Sequence, residues 1–318
     1  GKKFCLLANL YDKTLIRNRL SYDFASEVGG CHYTPRTEYV DVYLNNRFLG
    51  NYLMTQAVGE GKEKVDIDIT KNEFLFEYEP FVGYSNPNCI ATPILGILLG
   101  FNEPEQPTAE QFEWLNLFLA EAESALVSYD FERIAEYFDI DSFVDFYIVN
   151  ELFKDVDFST SSTRFYLKKG RLYAGPLWDM DLSSGNVSEE AGYYGEYWNS
   201  NTSGDSTESF YCRKIWYREL FGCQKFGELV RKRYAKLQPQ IVNLTTDNEL
   251  GLNRIDRLIA KYGKSFAANY EKAGWSVSYV YGEFESRYPA KTYEGNVEYL
   301  REWLIRRNAW LLHELGIS

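Results

Sequence analysis

Apolar positions along the chain change their period near its middle. Phe4 to Ala8 is a short apolar run ending at Asn9, the mark of a buried strand. Leu15, Leu20, Phe24 and Val28 then recur near helical spacing. They predict a helix capped by Asp12 or Thr14, running through Glu27 and stopped by Gly29-Gly30. Alternation returns from Tyr39 to Leu44 and again from Phe48 to Thr55, around Asn45-Asn46, which predicts a hairpin. Phe74 to Glu79 reads as a further strand closed by Pro80. The stretch from Asn86 to Gln106 collects helix and strand breakers and marks the expected boundary between two lobes.

Beyond it the helical period dominates. Ala109 to Val127 places Phe112, Leu115, Leu119 and Ala122 on one side. Asp141 to Phe153 predicts a second helix, capped by Asp139 or Asp141. Arg164 to Leu167 and Arg171 to Ala174 form a small strand pair turned by Lys169-Gly170 and broken by Gly175-Pro176. Asn186 to Ser209, rich in Gly, Ser, Asn and Tyr, reads as a long loop, a kind that is usually functional or disordered. Glu208 to Gln238, Asn248 to Ala273 and Tyr293 to Leu315 carry helical patterns. The expected architecture is α+β, with a mixed sheet-plus-helix lobe over residues 1–105 and a mainly helical lobe over residues 106–318.

Composition narrows the function. A net charge of −12 argues against a broad basic face for nucleic acid, although a bound metal can reverse the sign locally. His32 and His313 are the only histidines, which disfavours a multi-histidine metal site. The five cysteines contain no CxxC pair, so a disulfide framework or zinc ribbon is not expected. No secretory signal or transmembrane span is visible; the longest apolar stretch, Ile90 to Phe101, is interrupted by Pro93 and Gly96. Gly1 before Lys2-Lys3 reads as a tag remnant on a trimmed chain, which leaves the native compartment open. Twenty-six tyrosines raise the aromatic content, and Tyr193, Tyr194, Tyr197 and Trp198 cluster in the long loop. Aromatic faces suit a sugar or a peptide, while core and rim packing accounts for most such residues.

The densest polar constellation runs from Asn150 to Asn186. It holds Asn150, Glu151, Asp155 and Asp157 at a helix end, then the run Ser159 to Thr163, the strand pair, and Asp179 with Asp181. Carboxylates on either side of a short hairpin can converge on one point. Phosphoryl transfer uses that arrangement: one carboxylate accepts a hydroxyl proton and another holds magnesium against the phosphates. Asp179 and Asp181 share a face on an extended segment and suit a hard cation. Acidic residues around turns also serve as caps, which is the plainer reading of each. No Walker A, GxGxxG, GxSxG or HExxH string is present, and Gly59-Glu60-Gly61-Lys62 lacks the spacing of a phosphate loop.

Several strings together resemble one family. Leu6-Leu7-Ala8-Asn9 with Asp12 to Asn18 is similar to the "LLAN…DKSLLRN" stretch of the CotH family, the spore-coat-protein-H-like kinases. Val42 to Asn46 with Gly50 to Leu53 resembles its "VYLNG…GVYLL" hairpin, and Phe74 to Glu79 its "GYLLEID" strand. Ile140 to Phe146 with Asn150-Glu151-Leu152 resembles "IDxxSFIDYxxxNEL", and Gly175 to Leu182 with Gly185-Asn186 resembles "GPxWDFDLAFGN". The matches run in order over about residues 3 to 186. The resemblance implies a bilobal, atypical protein-kinase-like fold that transfers the ATP γ-phosphate to Ser or Thr of a Ser-rich coat, surface or secreted bacterial protein. It implies Asp179 and Asp181 as ligands of Mg2+ or Mn2+ and Asp157 as the catalytic base. Asn150 becomes a second metal or positioning group. Arg17 and Glu77 fall on the cofactor side, Arg17 as a phosphate-side or scaffold contact. Two departures stand out. Gln56 occupies the place of a glutamate in the family's "LLTEKI" string, which excludes a Lys–Glu pair there, and the "GRGNSTW…KKPYxIK" stretch has no counterpart ahead of Phe4. A catalytically inactive kinase-like structural protein and an extracellular carbohydrate-active or glycan-binding protein are the alternatives; the latter needs two carboxyls flanking an aromatic groove and no magnesium.

Overall fold

The structure, a computed structural model, describes residues 3–80, 88–158, 160–186, 206–207, 210–277, 290 and 292–317. Among these residues two antiparallel sheets and a set of helices share one continuous apolar core that runs from Leu15 to Leu311 and crosses residue 105 without a break. The first sheet has the order β1-β3-β2, built from β1 (Phe4–Leu7), β2 (Thr37–Leu44) and β3 (Arg47–Gln56). Asn45 and Asn46 both adopt positive φ, 47° and 59°, so the β2–β3 hairpin turns through the two-residue geometry that matches strand twist.

The second sheet has the order β5-β6-β4-β7-β8, with β4 (Phe74–Tyr78), β5 (Cys89–Ala91), β6 (Leu98–Glu103), β7 (Arg164–Lys168) and β8 (Arg171–Ala174). It joins strands from both expected lobes. β4 sits between β6 and β7 and is covered on both faces. Phe74 and Phe76 enter the main core, while Leu75 turns to a smaller one with Tyr166, Val65 and Ile67. β5 and β6 occupy the stretch expected to be a breaker-rich boundary. Pro93 and Gly96 lie in the connection between them, so the breakers make a turn and leave the strands intact.

α1 (Arg17–Val28) starts later than expected, because Leu15 takes φ 64° just before it. Asp12 still serves this end: its carboxylate accepts the Arg17 N–H at 2.8 Å. Gly29, at φ 95°, ends the helix. α2 (Ala109–Val127) opens with a capping box between Thr108 and Gln111, and α3 (Phe131–Tyr137) is a short helix without an earlier expectation. α4 (Ile140–Phe153), capped by Asp139, is buried at every residue from Ser142 to Phe153. A helix enclosed all round is the centre of a fold, and α4 packs against α1, β8, α6 and α9.

The tail is more divided than its periodicity implies. α5 (Tyr217–Leu220) and α6 (Gln224–Lys236) are separated at Gly222, where an added Cβ would lie 2.3 Å from the Tyr129 ring. α7 (Gln238–Val242) follows with Pro239 in its first turn. α8 (Arg254–Glu271) begins at an Asn253 cap, and α9 (Tyr293–Glu314) closes the chain. The tyrosine-rich part of the expected long loop lies outside the described residues. No helix among the described residues is long and apolar enough to cross a membrane. All five cysteines are free.

Candidate active site

The acidic constellation sits where α4, the β7–β8 hairpin and α1 meet. α4 ends at Lys154, which is buried and turns left-handed at φ 46°. In the next turn the Asp155 N–H donates to the Asn150 carbonyl at 3.2 Å, and the Asp157 N–H donates to an Asp155 carboxylate oxygen at 3.3 Å. The Asp157 carbonyl accepts from Thr160 and Ser161 N–H groups at 2.8 and 3.0 Å. The Tyr211 hydroxyl donates to the Val156 carbonyl at 2.9 Å, which fixes the turn from the other side.

Beyond β8 the chain crosses the inner flank of α1. The Asp179 N–H donates to the Tyr22 hydroxyl at 3.0 Å and the Met180 N–H to Asn18 Oδ1 at 2.7 Å. Arg17 donates through Nε and Nη2 to the Ser183 and Ser184 carbonyls at 3.0 and 3.3 Å, and through Nη1 to Asp12 at 2.6 Å. The Ser184 N–H reaches the Phe153 carbonyl at 2.6 Å. Asn186 Nδ2 donates to the Tyr11 and Asp181 carbonyls at 2.9 and 2.7 Å. Ser162, Asp179 and Ser184 hold φ values of 55°, 60° and 50°. Left-handed backbone at three non-glycine residues is a cost that the surrounding bonds must offset, and such residues gather at functional sites.

Burial and like charge dominate the electrostatics. Asp155 and Asp157 are buried, and Asp179 and Asp181 half-buried. Burial, then the Asp179 charge, raises the Asp157 carboxyl to about 7. Asp155 and Asp181 are pushed well above the usual carboxylate range, first by burial and then by the neighbouring aspartates. Asp179 is raised by burial, with Arg164 and the Ser162 hydroxyl opposing the rise. Ser162 Oγ lies 3.4 Å from Asp179 Oδ2. Glu77 accepts the Ser162 N–H at 3.0 Å and pairs with Arg164 at 2.8 Å, so β4 braces the Ser162 turn beside Asp179.

The six residues singled out in the sequence therefore divide. Asp157, Asp179 and Asp181 share one electrostatic site. Asn150 lies under it on the last turn of α4, its Nδ2 bonded to the Phe146 carbonyl at 2.8 Å. Arg17 and Glu77 are bound to protein partners and support the segments carrying Asp179. Asp155 belongs to the same cluster, a role not assigned from sequence. The contributions of Asn18 and Tyr22 carry no local sequence signal.

Among the described residues no group of three or more His, Cys, Asp or Glu side chains forms a ready-made metal cage. Magnesium does not need one: it commonly takes one or two carboxylates and completes its shell with water and phosphate oxygens. Asp155, Asp157, Asp179 and Asp181 share a raised proton affinity caused first by burial.

A family model described as CotH kinase protein matches residues 1–311. The chain belongs to the CotH kinase family. No curated relative matches it. The family match extends through the helical tail, well past the strings legible by eye, and supports a kinase-like function for the chain. In this CotH kinase chain the departure at Gln56 is filled structurally: its Oε1 accepts the Arg36 N–H and its Nε2 donates to the Glu63 carbonyl, both at 3.2 Å.

Proposed function

We propose that the chain is an ATP-dependent protein Ser/Thr kinase acting on a Ser-rich coat, surface or secreted protein. One observation carries the reading: Asp155, Asp157, Asp179 and Asp181 flank the β7–β8 hairpin with their carboxyls raised by burial, on a scaffold bonded tightly to α1 and α4. Asp179, with Asp181 beside it, would hold Mg2+ or Mn2+, and a divalent cation there supplies positive charge to the phosphate oxygens of ATP. Asp157 accepts the proton of the incoming Ser hydroxyl as its oxygen forms the new bond to the γ-phosphorus and the bond to the ADP oxygen breaks. Asn150 positions the Asp155–Asp157 turn through its carbonyl. Arg17 and Glu77 act at one remove, by holding the 179–186 segment and the Ser162 turn.

The test is transfer of labelled γ-phosphate to Ser-rich peptides. Asp179→Asn abolishes transfer with the fold intact, and Asp157→Asn lowers turnover more than nucleotide binding. Wild-type transfer by Asp179→Asn would overturn the metal assignment. Equal loss of turnover and nucleotide binding in Asp157→Asn would make that residue structural.

A further inference from the structure

A second charged site lies on the outer flank of α1, away from Asn18 and Tyr22. A groove of about 680 Å³ runs there between α1 and the start of α8. Its charged lining is Arg19, Arg254, Arg257 and Lys261 against Asp23 and Glu27, a cationic surplus on a chain of net charge −12. Two cations are matched within the groove. Arg19 Nε stands 2.8 Å from both Asp23 oxygens, and Arg254 pairs with Glu27. The other two are not matched there. Arg257 donates to a neutral partner, Asn243 Oδ1, at 3.0 Å. Lys261 reaches Glu38 at 3.6 Å with both side chains in solvent, an exposed pair that contributes little.

Arg254 adds a separate sign. Its side chain is only 12% exposed, and its buried Nε has no hydrogen-bond partner among the described residues. Burial, then the charge of Arg257, lowers its hold on its proton. The helix end itself is satisfied: the Arg254 and Ile255 N–H groups donate to the Asn243 and Leu244 carbonyls at 2.9 and 3.3 Å. The surplus therefore resides in side chains positioned by their own neighbours.

We propose that this groove docks a phosphoseryl segment of a partner protein, with the phosphate between Arg254, Arg257 and Lys261. A phosphate dianion would pair with Arg257, whose hydrogen-bond partner Asn243 is neutral, and would compete with Glu38 for the exposed Lys261; guanidinium groups bind phosphate through paired, charge-assisted hydrogen bonds. The volume accommodates a phosphate with its flanking residues. The choice of phosphoserine rests on the kinase reading, because an enzyme that modifies Ser-rich segments meets substrates already carrying phosphate. The docked segment would lie along the helix whose inner flank fixes Asp179.

The test titrates the full chain, without nucleotide, against a fluorescent Ser-rich peptide bearing one phosphoserine, its unphosphorylated twin, and inorganic phosphate as competitor. The phosphopeptide binds about tenfold or more tighter than its twin. Arg257→Ala/Lys261→Ala, at two exposed positions, loses that preference with its circular dichroism and melting temperature unchanged. Equal binding of the two peptides, or an undiminished preference in the double variant, would overturn the proposal. So would displacement by inorganic phosphate at the same concentration as by the phosphopeptide, which would indicate an ion site only. No ATP is present, so a failure of the kinase reading leaves these outcomes unaltered.

Discussion

Two sets of carboxylates, one along α4 and one from the turn after it to the segment beyond β8, are held differently. Glu151, on the last turn of α4, accepts from Arg307 Nη2 at 2.5 Å and from the Tyr211 and Cys212 N–H groups at 2.7 and 2.8 Å. Asp145, two turns earlier, takes Arg233 at 2.7 and 3.0 Å and the Gly30 N–H at 2.9 Å. These groups bind α4 to α9, to α6 and to the end of α1. Among the described residues Asp155 and Asp179 accept the long bonds named above; burial raises Asp155, Asp157, Asp179 and Asp181 alike, and aspartate neighbours add to the rise at Asp155, Asp157 and Asp181, whereas Arg164 opposes it at Asp179. Carboxylates paired with buried guanidinium groups hold the fold, whereas crowded ones raised by burial and like charge gain most from added positive charge.

The comparison can be broken most severely at Asp179. Asp179→Asn is expected to lower phosphate transfer by at least about 10²–10³-fold, the scale of losing one electrostatic contact to a transition state, with no loss of melting temperature. Asp157→Asn is expected to lower turnover by about 10²–10⁴-fold, the usual share of a general base, read in steady-state kinetics beside a nucleotide-binding isotherm. Glu151→Gln should do the reverse. It removes the carboxylate charge that faces buried Arg307 and costs about 3–5 kcal/mol of stability in a denaturant titration. A neutral outcome there would erase the distinction between the two sets.

Smaller effects sharpen it. Gly185 holds φ 75°, and a Cβ there would lie 2.6 Å from the Trp303 ring. Gly185→Ala should cost about 1–3 kcal/mol and weaken nucleotide binding by displacing the 179–186 segment, measured by calorimetry. The pH dependence is subtler. Asp157 rises from 3.8 to about 7 on folding, so the folded chain holds the extra proton and its contribution is complete below pH 4. That contribution is lost as pH climbs towards 7, at up to about 1.4 kcal/mol per pH unit for one proton. Stability of the metal-free wild type should therefore fall across this window relative to Asp157→Asn, and saturating Mg2+ should flatten the difference. Parallel pH profiles would show that Asp157 does not share the cluster's charge.

What was legible in the sequence follows from the range of the interaction. α2 matches its expected bounds because its apolar stripe and its Thr108 box are local. The β2–β3 and β7–β8 hairpins were equally plain, since Asn45-Asn46 and Lys169-Gly170 carry their turns in their own dihedrals. β5 and β6 were hidden because Pro93 and Gly96 in the turn between them outweighed two short strands. The tail helices were merged because the break at Gly222 depends on Tyr129, which comes from far along the chain. The same limit applies at the site. Asp157, Asp179 and Asp181 stand out in the sequence by type and spacing, and the roles proposed for them come from the family resemblance. The support from Tyr22, Asn18 and Arg17 comes from more than 150 residues away and has no local pattern. Asp155 was visible in the constellation, but only its burial beside the other aspartates distinguishes it from a helix-end residue.

The role proposed for the aspartate cluster is to bind a metal-bearing nucleotide. Its most direct test is a thermal-shift titration with ATP, with and without Mg2+, on the wild type and on Asp179→Asn. A ligand that binds only the folded chain raises its stability by about 2.7 kcal/mol at a hundredfold excess over Kd. A shift is expected in the wild type that needs both ATP and Mg2+ and is absent from Asp179→Asn. The same metal-dependent shift in both proteins would contradict it.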